Sequence, residues 1–189
     1  MIQKTKTEIK SAAELFSAPD TGNRLELVKG ILIVMSPAVS EHGRIASRIL
    51  IRLGNHVEAN DLGETFAAET GFQIESNPDT VRAPDAAFVS HGRLSTVDDT
   101  SAYLALAPDL VVEVVSPNDS SSDVEAKVEQ WLHAGSLIVL VADPKNETLR
   151  VSRNKSEIKV LHSGEVFNSG EVCNDWKLAV DDVFNIPSK

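Results

Sequence analysis

Only one cysteine, Cys173, occurs in the 189 residues. A lone cysteine can form no intrachain disulfide and excludes a cysteine-based zinc site. Such usage fits a reducing cytoplasm, the expected location. Long apolar runs are missing as well. No stretch approaches the ~20 residues of a membrane span, so no membrane association is expected. The start, Met1-Ile2-Gln3-Lys4-Thr5-Lys6, leads into no apolar run, and no secretory signal is expected. Positive charge is scarce: 18 Lys and Arg stand against 28 Asp and Glu, a formal net charge of −10. That balance counts against non-specific nucleic-acid binding, in which positive charge dominates affinity. A local basic stripe can still override the global figure. Neither G-x-G-x-x-G nor a P-loop is present, so the usual phosphate-cradling glycine loops are excluded. A serine-hydrolase reading is poor. G-x-S-x-G is absent, and Ser152-Arg153-Asn154-Lys155, although spaced as S-x-x-K, falls on a hairpin turn with no helix to aim it. There is no internal repeat, low-complexity segment or dividing linker. One domain over residues 1–189 is expected, long enough to bury roughly 70% of its unfolded surface.

What is present alternates helix-period and strand-period segments. Residues 1–10 are polar and expected to fray. Ser11 and Glu14 form a capping box that opens a short helix to Phe16. Leu25, Leu27, Ile31 and Ile33 alternate around Lys29-Gly30 and predict a hairpin over Arg24–Met35, with Glu26 in its first strand. Ser40 is the expected N-cap of a helix to about Ala59 whose buried stripe is Ile45, Ile49, Leu53 and Val57. Arg44, Arg48 and Arg52 recur on another face, as a solvated surface or as a row of phosphate contacts. His42 lies in the first turn, where backbone N–H groups favour anions; it is a surface or capping histidine, or a ligand. Thr65–Ile74 reads as a strand with Glu69 in its middle, and Val81–Ser90 as a strand carrying Asp85. Between His91 and Pro108 a loop is expected, with a helical piece near Tyr103-Leu104-Ala105-Leu106. Leu110–Val115 is apolar and β-branched and should be a central strand, with Glu113 inside it. Ser122 and Glu125 form a second capping box for a helix ending at Gly135, with Val124, Val128 and Leu132 as core stripe. A strand at Leu137–Ala142, a hairpin over Leu149–Leu161 and a short helix near Val180–Phe184 follow. The fold class is mixed α/β, one mixed sheet with helices against it.

The stretch from Arg82 to Lys127 organises the rest. An acid in a strand of Val, Leu, Phe and Ala is costly to bury without a partner. Asp85 and Glu113 are two such acids, and a divalent metal between them would remove the cost. Mg²⁺ takes one or two carboxylates and fills its shell with water and substrate phosphate. A backbone carbonyl beside Glu113, that of Val114, would add a third oxygen. Lys127 lies in the second turn of the following helix, within reach of the strand end by a right-handed connection. Other readings stay open. Asp85 bonds local backbone at a strand end, or Glu113 forms a buried ion pair with an arginine or with Lys127.

These residues also carry a resemblance. Pro84-Asp85, Glu113 and a nearby lysine resemble the PD-(D/E)xK nuclease superfamily. The chain is similar in particular to the Uma-type family of restriction endonucleases. Matching stretches are Arg24-Leu25-Glu26-Leu27-Val28-Lys29-Gly30, Met35-Ser36-Pro37, Glu41-His42 and Ala83-Pro84-Asp85-Ala86-Ala87-Phe88-Val89. They continue through Pro108-Asp109-Leu110-Val111-Val112-Glu113-Val114-Val115-Ser116-Pro117, Lys127-Val128-Glu129, Ala134-Gly135 and Val141-Ala142-Asp143-Pro144. The resemblance implies a restriction-endonuclease-like core, helix-strand-strand-strand-helix-strand, with hairpins added at both ends. It implies Mg²⁺-dependent phosphodiester hydrolysis (Mn²⁺ as substitute), nucleic acid, in particular DNA, as partner, and a homodimer. Asp85, Glu113 and the Val114 carbonyl become the metal ligands. The superfamily lysine normally stands two residues after the second acid. Val115 occupies that place here, which puts the role on Lys127. Glu26 and His42 match recurrent family positions and are counted with Asp85, Glu113 and Lys127 in the catalytic set. The alternative is a nuclease fold without catalysis that binds nucleic acid or protein.

Overall fold

The structure, a computed structural model, describes residues 9–19, 22–117 and 119–185. The expectation of a frayed start falls almost wholly outside these residues. Helix α1 (Ala12–Phe16) begins at the capping box read from Ser11 and Glu14, both bonds of which are made. Strands β1 (Arg24–Val28) and β2 (Ile31–Met35) form the hairpin around Lys29 and Gly30, both at positive φ, the conformation a tight two-residue turn demands.

Helix α2 (Ser40–Ala59) has the predicted bounds and stripe, but Val39 is its N-cap and supplies no side-chain bond. The expected strand over Thr65–Ile74 is two strands, β3 (Gly63–Ala67) and β4 (Phe72–Glu75). Glu69 sits in the turn between them at φ 74°, not in a strand. The Asp85 strand is likewise split, into β5 (Thr80–Arg82) and β6 (Ala86–Ser90), with Asp85 in the link. Helix α3 (His91–Leu94) follows β6 directly. Near Tyr103 there is no helix; Leu104 forms an isolated bridge to Phe72 instead. Strand β7 (Leu110–Val114) leads to helix α4 (Ser121–His133), which Ser120 caps through the Asp123 N–H, displacing the Ser122–Glu125 box. Strands β8 (Ile138–Asp143), β9 (Thr148–Ser152) and β10 (Ile158–Leu161) complete the main sheet. The small pair β11 (Val166–Asn168) and β12 (Lys177–Ala179) precedes α5 (Val180–Phe184).

The main sheet is mixed, in the order β10-β9-β8-β7-β6-β3, with β7 and β8 parallel and its other pairs antiparallel. Its core, α2-β3-β6-β7-α4-β8, is the expected helix-strand-strand-strand-helix-strand. The difference lies in what surrounds it. The first hairpin is not an extension of this sheet. It joins β5 and β4 in a second, antiparallel sheet of order β2-β1-β5-β4. Helix α2 lays Ile45, Ile49, Leu53 and Val57 on one face of the main sheet, and α4 lays Val128 and Trp131 on the other. Among the described residues no helix is long and apolar enough to cross a membrane.

Two arginines of the α2 stripe, Arg48 and Arg52, dock the C-terminal segment, while Arg44 pairs within the helix. Arg48 Nη1 donates to the carbonyls of Val183 (3.1 Å) and Asn185, Arg52 Nε lies 3.8 Å from Asp182, and Arg44 Nη2 lies 3.7 Å from Glu41. Charge-assisted bonds of this kind contribute about 2 kcal/mol. Arg48→Glu is therefore expected to lower the unfolding free energy by about that amount in urea titration. A stable variant with weakened DNA binding would restore the phosphate reading of the stripe.

Candidate active site

Strand periodicity aims Glu113. In β7, Leu110, Val112 and Val114 pack on the α2 side, while Val111 packs with Val128 and Trp131 on the α4 side. Side chains alternate along a strand, so Glu113 faces α4. There Oε1 accepts a 2.8 Å bond from the Trp131 indole, and Oε2 lies 3.6 Å from Lys127 Nζ. Lys127 and Trp131 are four residues apart on one helical face.

Asp85 is tied to β7 on either side of Glu113. Its N–H donates to the Val112 carbonyl at 3.0 Å, and its Oδ2 accepts from the Val114 N–H at 2.8 Å. His42 Nε2, from the first turn of α2, lies 3.2 Å from the same oxygen. Arg24 Nη1 reaches Oδ1 at 3.3 Å, and Arg24 Nη2 donates to the Ala83 carbonyl. Glu26 stands behind. Its Oε2 accepts from Arg82 Nη1 at 2.6 Å and its Oε1 from the Ala83 N–H at 3.2 Å. Arg82 in turn donates twice to Gln130 Oε1, at 2.9 and 2.6 Å. The fold thus brings Glu26, His42 and Asp85 together with Arg24 and Arg82 in one polar cluster. Beside it Glu113 pairs with Lys127 and Trp131, and the two groups are joined through the Val112 and Val114 backbone. A cavity of about 350 Å³ opens beside Asp85, His42 and Arg24, with Met35, Pro37 and Leu50 among its apolar walls and Glu69 at its edge. Glu113 and Lys127 lie outside that lining.

Burial sets the electrostatics. Glu113 is 6% exposed, and desolvation pushes its pKa up to about 7; Asp85 and Glu26 add to this, against Lys127 and the Trp131 bond. Burial acts on Asp85 in the same sense, but the His42 bond and charge, the Val114 N–H and Arg24 outweigh it and hold that carboxyl below its ordinary value. His42 is raised, chiefly by its bond to Asp85. Lys127 loses from burial but is raised on balance by Glu113 and Glu26.

The donor set fits a hard divalent cation. Among the described residues no three His, Cys, Asp or Glu side chains form a ready cage. Mg²⁺ does not require one, because water and phosphate fill its shell. Two buried carboxylates sit on adjoining segments. Glu113 Oε2 has its nearest cation beyond hydrogen-bond distance, and Asp85 Oδ1 carries a single long contact. A carboxylate oxygen with one such contact retains acceptor capacity.

Sequence reasoning gave no role to Arg24, Arg82, Gln130 or Trp131. Two signals were available. Arg24 and Glu26 share a face of β1 by the period of two, and Trp131 follows Lys127 by one helical turn. Nothing in the sequence points to the Arg82–Gln130 contact, whose partners are 48 residues apart.

Comparison with known proteins agrees with this architecture. A crystal structure of a putative nuclease of the DUF820 family from Anabaena variabilis superposes with a TM-score of 0.78 at 20% identity, covering 92% of this chain and 97% of the other. At that identity the likeness establishes the fold. No curated protein matches the sequence. The family model described as putative restriction endonuclease matches residues 12–181. With that span and the restriction-endonuclease-like core, the chain belongs to the Uma2 family of putative restriction endonucleases.

Proposed function

We propose that this protein is a divalent-metal-dependent endonuclease that hydrolyses phosphodiester bonds in DNA. The observation that carries the reading is the convergence of Asp85, Glu113 and Lys127, with Asp85 bonded to β7 on both sides of Glu113. Asp85, Glu113 and the Val114 carbonyl would hold the ion, Mg²⁺ or Mn²⁺ in its place. A bound ion of this kind polarises a phosphoryl oxygen and lowers the pKa of water. Lys127 places a fixed positive charge beside Glu113, where negative charge develops on the phosphoryl group. His42 orients Asp85 through Nε2, and its buried Nδ1 has no partner among the described residues. The cavity beside Asp85 and His42 would be the side from which a strand of nucleic acid approaches.

One feature favours a second reading, a binding module without catalysis. The Asp85 charge is already compensated by Arg24 and His42. Nicking of supercoiled plasmid with Mg²⁺ or Mn²⁺, run beside a Mn²⁺ titration, separates the two. Lys127→Ala is expected to keep Mn²⁺ affinity and to lose about 10²–10³ in rate, as when one preorganised stabilising group is removed. Full activity in that variant would displace Lys127 from its role. A wild-type protein that neither nicks nor binds Mn²⁺ would establish the module reading.

A further inference from the structure

We infer that Trp131 is a positioning residue for Glu113: its indole N–H holds Oε1, so that Oε2, 3.6 Å from Lys127, is the oxygen presented to a cation. This rests on the metal-site reading above and assigns a residue that the family motif does not include. Trp131 is fully buried, and its ring packs edge-on against Phe72 at 6.3 Å between centroids. The ring therefore has no freedom to swing the N–H away from Glu113. An indole nitrogen is a donor only. It recognises a carboxylate oxygen and cannot itself bind a metal ion. A glutamate on a strand keeps rotation about its terminal bonds, and within Oε1 and Oε2 the chemistry is symmetric. The 2.8 Å bond breaks that symmetry and fixes which oxygen lies toward Lys127. Groups that orient a metal-binding side chain in this way typically change metal affinity 10–100-fold when removed.

Trp131→Phe retains an aromatic ring in the core and deletes the donor. The test is a Mn²⁺ titration of the full chain, with stability measured on the same samples. Val128→Ala serves as the control. It loosens the same helix in the same core but removes no hydrogen-bond donor or acceptor of the site. The expected result is a 10–100-fold weaker Mn²⁺ affinity in Trp131→Phe and an affinity within twofold of wild type in Val128→Ala. Unchanged affinity in Trp131→Phe would overturn the inference while leaving the metal site standing. Equal losses in both variants would overturn it too, because the effect would then come from core packing. A wild-type protein without Mn²⁺ affinity would overturn the metal-site reading and the role of Trp131 with it. In the wild type the Trp131 indole proton should also exchange slowly in NMR spectra, as a buried hydrogen-bonded donor does.

Discussion

Plasmid nicking by Glu113→Gln is expected to fall about a thousandfold or more below wild type, and Mn²⁺ binding to disappear with it. A metal acting on a phosphoryl oxygen contributes several kcal/mol of barrier reduction, and each 1.4 kcal/mol is tenfold in rate. Glutamine keeps the shape of the side chain and a carbonyl oxygen for the Trp131 indole. It removes the charge that holds a cation. The fold should survive, because burial already disfavours that charge at this site. Urea unfolding of the variant checks this point separately from activity. Asp85→Ala should lose nicking in the same way. Wild-type Mn²⁺ affinity in Glu113→Gln would remove Glu113 from the ligand set.

The second large effect concerns stability. Arg82 and Glu26 are 8% and 1% exposed and meet at 2.6 Å. Arg82→Met leaves the Glu26 carboxylate in the interior with the Ala83 N–H and a distant Arg24 as its remaining contacts. Breaking a buried pair from one side costs about 3–5 kcal/mol, because an uncompensated charge stays behind. Urea unfolding should show a loss of this size. The double variant Glu26→Met with Arg82→Met should recover much of it, since no charge is then stranded. A single-variant loss under about 1 kcal/mol would mean that water or a rearranged Arg24 takes over the carboxylate.

Legibility in the sequence followed the range of the interaction. Local signals were read well: the Lys29-Gly30 turn, the Ser11–Glu14 box and the four-residue stripe of α2 each depend on neighbours along the chain. The isolation of Glu113 in an apolar strand was legible for a similar reason, since alternation decides which face an acid takes. Errors arose where two local rules competed. Ser120, Ser121 and Ser122 all offer a helix N-cap, and Asp123 settles the choice by bonding back to Ser120. Glu125, read as part of a capping box, pairs with Arg150 instead. Thr65–Ile74 kept strand composition through a reversal, because a glutamate at positive φ leaves no compositional mark. The separation into two sheets was not legible at all. It depends on where β5 finds its partner, and its nearest neighbour on that side, β1, is far away in the chain.

The link between β5 and β6 bears on the order in which the protein assembles. Glu113 and its indole partner are 18 residues apart, inside one strand-helix unit. Asp85 and Arg24 are 61 apart and meet only once the two sheets have docked. By the logarithmic scaling of loop closure, the longer contact costs about 1 kcal/mol more chain entropy than the shorter. One half of the cluster can therefore form within a short stretch of chain as soon as α4 folds back on β7. The other half waits for distant segments. The two acids themselves meet as β6 pairs with β7, since Asp85 bonds to Val114 only 29 residues on, and it is the Arg24 contact to Asp85 that waits for the second sheet.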